Sequence, residues 1–207
     1  LRLNAQQTEY ALGIAASAAG GMGANIPTMT KATHAGNAAR TGVDAATLSR
    51  MGFDAAEGIL ERKKGVADAF LTGNTDWDQL NAGWGERWFI AEPGVNIKPY
   101  AVQYSMLALI EAVLASRPAG FKADKLDYVE VTGSAHIAAA SDPNPATGHA
   151  GRFSVEYCSA AALVLGSVDL AAFEDHALVN PDLQAAIKKV RIKEREADHA
   201  TRHAVSV

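Results

Sequence analysis

A chain of 207 residues, 48% of them apolar, is long enough to bury a substantial core and corresponds to one or two domains at roughly 150 residues per domain. Nineteen Lys and Arg against 23 Asp and Glu give a net charge of −4, which supplies no general attraction to nucleic acid or to an anionic membrane; an anionic ligand must be held by a local cationic cluster. The longest apolar stretches, such as Met106–Leu114 with Glu111 inside it, fall well short of the roughly 20 residues that cross a bilayer, so neither a nucleic-acid nor a membrane partner is expected.

From Leu3 to about Ala19 an Ala-rich run with Leu3, Tyr10, Leu12 and Ile14 predicts a helix that stops at Gly20-Gly21. A polar segment then leads into a small-residue helix running to about Met51, with Thr30 or Thr33 available to cap its start and Gly52 to stop it. Short helices are expected around Asp54–Leu60 and Val66–Thr72, making the first ninety residues mostly helical. At Trp84–Pro99 aromatic and β-branched residues mix with Pro93-Gly94 and Pro99, which predicts a strand or an extended link and places a domain boundary near Glu92. Val102, Met106, Leu109, Ile110, Val113 and Leu114 recur at helical spacing before Pro118 and Gly120. Leu126–Thr132 reads as a strand with Val129 and Val131 on one face, and Ser141–Gly151, with two prolines and two glycines, as a loop. Phe153–Leu165 predicts an apolar helix, Pro181–Lys188 a helix with proline in its first turn, and Val190–Lys193 a strand. The fold class is therefore α+β, divided into 1–92, 93–193 and a terminal tail 194–207.

The single cysteine, Cys158, allows no internal disulfide, no Cys-rich zinc site and no iron–sulfur cluster held by three thiolates of this chain, and it suits a reducing cytosol. The opening Leu-Arg-Leu-Asn-Ala-Gln-Gln lacks a leader pattern and reads as the middle of a longer chain. In the tail, His199 and His203 stand at i, i+4 spacing; a helix there would let them chelate a metal, but no third ligand is near, so no metal site is assigned.

Three polar constellations remain. Lys31 and His34, three residues apart at a helix start, bring an ammonium and an imidazole to one side of the first turn, where backbone amides also favour an anion. Lys98 precedes Pro99-Tyr100, whose proline restricts how the lysine is aimed. Arg152-Phe153-Ser154-Val155-Glu156-Tyr157-Cys158 opens a buried helix after a loop; Tyr157 is either a proton donor there or a core tyrosine with a satisfied hydroxyl. His136 and His149 flank the same loop and read as structural or exposed.

Taken in order, the segments Ala-Leu-Gly-Ile-Ala-Ala-Ser-Ala-Ala-Gly-Gly, Thr-Met-Thr-Lys-Ala-Thr-His-Ala-Gly-Asn-Ala-Ala-Arg, Gly-Phe-Asp-Ala-Ala-Glu-Gly-Ile-Leu-Glu, Ile-Lys-Pro-Tyr and Gly-Arg-Phe-Ser-Val-Glu-Tyr-Cys resemble the C-terminal part of the MmgE/PrpD family. The similarity runs from about Ala11 to Ile192. It implies a cofactor-free and metal-free cytoplasmic enzyme, usually a homodimer, with a mainly helical domain, a smaller α+β lid and a cleft between them for small di- and tricarboxylic acids. Motif matching assigns catalysis to Lys31, Lys98, Tyr157 and His34, and substrate binding to Thr30, Lys31, Lys98, Tyr100, Gln103 and Arg152. The family's other polar groups, an aspartate and histidines, belong to a helical portion not in this sequence.

All reactions of such a family must stabilise negative charge that develops beside a carboxylate, and lysines aimed at the carboxylates meet that demand. The resemblance thus implies that Lys31 and Lys98 bind carboxylates and that Tyr157 or His34 transfers a proton. Gln103 stands where some decarboxylases of the family have a histidine, which argues against decarboxylation of a cis-aconitate-like substrate. The expected activity is that of a hydro-lyase resembling 2-methylcitrate dehydratase; the alternatives are an epimerase or decarboxylase of the same family, or a non-catalytic homologue that binds organic acids.

Overall fold

A computed structural model describes residues 1–26, 28–71, 75–196 and 204–207. The chain divides into two compact units, Leu1–Val95 and Asn96–Val207.

The first unit is built on α1 (Ala5–Ser17) and α2 (Thr30–Arg50), which pack against each other. Asn4 caps α1 in a reciprocal capping box with Gln7, so two amides at the helix end are satisfied locally. Gly13 marks the close approach of the following chain, because a Cβ there would lie 2.6 Å from the Ala55 methyl. Ser49, buried on α2, donates its hydroxyl to the Gln7 carbonyl at 2.7 Å. The cap of α2 is neither threonine named above: both Thr30 and Thr33 lie inside the helix. Met29 occupies the cap position, and it is Thr28 whose hydroxyl accepts the Thr30 N–H at 3.2 Å. Gly52, at φ +98, lets the chain leave α2 as expected.

Asp54–Leu60 forms turns instead of a helix. Gly58 adopts φ +64 and its amide is captured by the Glu9 carboxylate at 2.7 Å, while Val66 and Ala67 donate to the Ile59 and Leu60 carbonyls and fold the segment back on itself. Two short helices follow, α3 (Val66–Phe70) and α4 (Trp77–Asn81), the latter capped by Asp76 and unanticipated from the sequence. Residues 84–99 form turns and an extended link and contain no strand.

The second unit comprises α5 (Tyr104–Ser116), β1 (Val129–Gly133), α6 (Ala135–Ala138), α7 (Gly148–Gly151), α8 (Val155–Leu165), α9 (Asp175–Leu178), α10 (Pro181–Ile187) and β2 (Val190–Glu194). β1 and β2 are parallel, with Val129 opposite Val190 and Gly133 opposite Glu194, and the helices α6 to α10 form the crossover between them. Helix α8 is buried on every side from Val155 to Leu163, and α5 and α10 pack on it. Its Ala160, Ala161 and Ala162 keep those neighbours close, while Met106, Leu109, Ile110 and Val113 bring one face of α5 to full burial. Each such side chain contributes about 1.5–3 kcal/mol of transfer free energy. Pro181 stands at the first position of α10 behind Asn180, whose side chain accepts from the Asp182 and Leu183 amides.

The 141–151 segment is not wholly a loop. Its last four residues make the turn α7, capped by Thr147 and wedged so tightly that a Cβ on Gly148 would sit 2.0 Å from the Phe173 carbonyl oxygen. Ser206 pairs with Thr132 across an antiparallel bridge beside β1. His199 and His203 lie outside the described residues. No helix among the described residues is long and apolar enough to cross a membrane.

Candidate active site

In the first unit, Thr30 and Lys31 lie on the first turn of α2, both exposed, and no side chain caps that end at Met29. His34 follows one turn on, half-buried, its ring against Gly21: a Cβ there would come within 3.3 Å of the His34 Nδ1. Gly21 has φ +124, so the glycine loop after α1 both turns and makes room for the imidazole. The structure thus places Thr30, Lys31 and His34 together at one helix start.

In the second unit the chain coils tightly ahead of α5. The Lys98 ammonium donates to the Val102 carbonyl at 2.8 Å, and the Gln103 amide donates to the Arg152 carbonyl at 3.0 Å. The second bond joins the backbone at Gln103 to that at Arg152, 49 positions on. The Arg152 amide donates to the His149 carbonyl at 3.3 Å, closing the end of α7. The Arg152 guanidinium stacks 5.6 Å over the Phe173 ring, and His149 meets Phe153 edge-on at 5.7 Å.

Three side-chain atoms of this group, Gln103 Oε1, His149 Nε2 and Arg152 Nε, are buried with no hydrogen-bond partner. A buried polar atom left unpaired costs about 1–3 kcal/mol, and more when the group is charged. Such atoms are uncommon in folded chains, and these three lie on residues near one another along the backbone bonds just described.

Two of the expected site residues are engaged elsewhere. The Tyr100 hydroxyl donates to Glu111 Oε1 on α5 at 2.7 Å; that bond, with burial and the carboxylate's charge, raises its pKa. Tyr157 is fully buried, its hydroxyl donating to the Ala172 carbonyl at 2.6 Å and its ring resting on Phe173. Burial above all, and then the adjacent Cys158, raise the Tyr157 pKa. The Tyr157 hydroxyl is thus engaged inside the unit, on a backbone carbonyl. Cys158 beside it is no nucleophile: burial pushes its thiol far up, and its Sγ faces the Gly151 carbonyl.

Sequence reasoning overlooked Glu156. It is buried at the start of α8 and its carboxylate accepts from the Ser141 hydroxyl and, at 2.9 Å, from the Asp142 amide, which ties the 141–151 segment to α8. Among the described residues, no group of three or more His, Cys, Asp and Glu could hold a metal ion. A cavity of about 570 Å³ elsewhere in the second unit is lined mainly by apolar residues such as Val113, Phe121 and Leu163, and none of the residues assigned above lines it.

The chain thus carries a small helical unit with Thr30, Lys31 and His34 at the start of α2, followed by an α+β unit that carries Lys98, Gln103 and Arg152. The chain belongs to the MmgE/PrpD family: residues 1–78 match the MmgE/PrpD N-terminal domain and residues 100–205 the MmgE/PrpD C-terminal domain. Among curated proteins it is 28% identical over 200 residues to cis-aconitate decarboxylase of Mus musculus, covering 93% of this chain and 40% of that protein. The Homo sapiens cis-aconitate decarboxylase is 27% identical over 198 residues, with 93% and 41% covered. A cis-aconitate decarboxylase-like protein of Aspergillus oryzae is 30% identical over 206 residues, with 91% and 42% covered. The chain therefore spans about two-fifths of the length of these curated relatives.

Proposed function

We propose that the complete protein is a lyase acting on a small di- or tricarboxylic acid, taking a proton from the carbon next to a carboxylate and expelling the neighbouring hydroxyl, which leaves protonated as the one water lost, in the manner of a 2-methylcitrate dehydratase. The observation that carries this reading is the backbone bond that joins Gln103, five residues after Lys98, to Arg152, with Gln103 Oε1 and Arg152 Nε both buried without a partner. Lys31 and Lys98 each neutralise a substrate carboxylate, so that the charge developing on the neighbouring carbon is stabilised by groups already in place. His34 moves the proton. Tyr157 is assigned to the scaffold because its hydroxyl is spent on Ala172.

The curated relatives support a second reading, decarboxylation of cis-aconitate. Against it stands Gln103, whose carboxamide can orient a substrate but cannot exchange a proton with it at neutral pH. Epimerisation uses the same proton removal and remains the third reading. A reducing cytosol fits the lone buried Cys158, and a homodimer is carried over from the family resemblance.

Changing Lys31 or Lys98 to Ala in the complete protein tests the reading, with turnover of 2-methylcitrate, citrate, cis-aconitate and iminodisuccinate as the readout. We expect a fall of about a hundredfold or more in kcat/KM for the accepted acid, the scale of removing one electrostatic stabiliser. Unchanged turnover would remove these lysines from the mechanism. Binding of tricarboxylates without any turnover would favour a non-catalytic homologue.

A further inference from the structure

We propose that Glu111 is a positioning residue for Lys98, acting through Tyr100, so that Tyr100 belongs to the support of the site and not to the set that touches substrate. The proposal rests on the reading above that Lys98 holds a substrate carboxylate, and it adds Glu111, which neither the motifs nor the family resemblance singled out.

Three hydrogen bonds join Glu111 to Lys98 in succession. The Tyr100 hydroxyl donates to Glu111 Oε1 at 2.7 Å, the Val102 amide donates to the Tyr100 carbonyl at 2.9 Å, and the Lys98 ammonium donates to the Val102 carbonyl at 2.8 Å. The first is a hydroxyl on a carboxylate, the stronger, charge-assisted kind of bond. Glu111 sits two turns into α5, about 10 Å along the axis from Tyr104, so Tyr100 reaches it only because the chain ahead of the helix folds back along it.

A lysine carries its charge on a flexible four-carbon stem, and its head group is aimed only where its surroundings restrict it. Here the restriction comes from the coil that follows. Pro99 fixes the backbone next to Lys98, and Val102, buried in the core, holds the carbonyl that receives the ammonium. Tyr100, between them, packs partly against the same core, and Glu111 fixes the hydroxyl end of its ring. The coil that aims Lys98 is thus held by the core at Val102 and by α5 at Tyr100.

Acylation of lysines in the complete protein by N-hydroxysuccinimidyl acetate, followed residue by residue by mass spectrometry, reads the hold on Lys98 without requiring turnover. Glu111→Ala removes the acceptor and leaves a strong helix former in α5; Tyr100→Phe keeps the ring and removes only the hydroxyl. We expect each variant to speed labelling of Lys98 about threefold or more and the double variant to speed it no further, the scale of losing one hydrogen bond. Lys31, in the other unit, should label at the wild-type rate. In turnover, Glu111→Ala should raise KM for the accepted acid about threefold or more with kcat within about twofold, since Lys98 keeps its charge but is aimed less firmly. Unchanged Lys98 labelling in both variants, effects that multiply in the double variant, or a rise shared by Lys31 would overturn the proposal. Faster labelling of Lys98 in a protein whose turnover is indifferent to Lys98→Ala would uphold it while removing Lys98 from the reaction proposed above.

Discussion

Replacing Tyr157 by Phe distinguishes a scaffold tyrosine from a catalytic one. The ring is fully buried, and the substitution deletes only the oxygen that donates to the Ala172 carbonyl at 2.6 Å. The ring's contact with Phe173, and its position against Gly151, are retained. What is lost is one buried hydrogen bond, and what remains is a carbonyl of a buried residue with no donor, a combination worth about 1–3 kcal/mol. Urea denaturation of the complete protein should therefore show a lower midpoint at an unchanged slope, since the surface exposed on unfolding is the same. Turnover of the accepted acid should stay within about threefold of wild type, whereas loss of a group that transfers a proton in the transition state costs about 10²–10⁴-fold. A variant of wild-type stability with turnover reduced a hundredfold would refute the scaffold assignment.

Gly148→Ala should be among the most damaging single changes in the second unit, because the new methyl would overlap the Phe173 carbonyl; we expect a loss of about 3 kcal/mol or more and, by displacing α7, a weakened hold on acids. Glu156→Ala should cost about 2–4 kcal/mol in denaturation experiments, since it strands the Ser141 hydroxyl and the Asp142 amide that the carboxylate now receives. Cys158 and Tyr157 both have pKa values raised by burial above their ordinary 9.0 and 10.0, so the folded state retains their protons longer than the unfolded chain does. Their contribution to stability is thus complete below about pH 9 and declines as pH rises through the raised folded values. Cys158→Ala should move the onset of that decline from about pH 9 toward about pH 10 in melting temperatures measured across alkaline buffers.

Much of the fold was legible because it is local. The spacing of Met106, Leu109, Ile110 and Val113 identified the buried face of α5, and the alternation of Val129 and Val131 that of β1. Gly52 and Pro181 marked helix ends through backbone geometry alone. What failed depended on partners distant in sequence. Asp54–Leu60 has a helical composition, but the Glu9 carboxylate takes the Gly58 amide and the backbone turns instead. The parallel pairing of β1 with β2 is set across the whole crossover, and no short pattern encodes it.

The candidate site divides in the same way. Lys31 and His34 were found together because three residues on a helix keep them together. The backbone bond that joins Gln103 to Arg152 spans 49 positions, which spacing could not show. That His149 Nε2 is buried without a partner could not be read from the sequence. Tyr157 matched a motif, yet the direction of its hydroxyl is decided by the carbonyl of Ala172 fifteen residues on.

The central claim is that the complete protein takes a proton from the carbon beside a carboxylate and expels the neighbouring hydroxyl, the two leaving as one water, with Lys31 and Lys98 holding the acid. Following 2-methylcitrate and cis-aconitate by proton NMR with simultaneous capture of carbon dioxide tests it most directly. We predict conversion of 2-methylcitrate to an unsaturated tricarboxylate that depends on both lysines, with no carbon dioxide from either acid. Release of carbon dioxide from cis-aconitate, with 2-methylcitrate untouched, would contradict it.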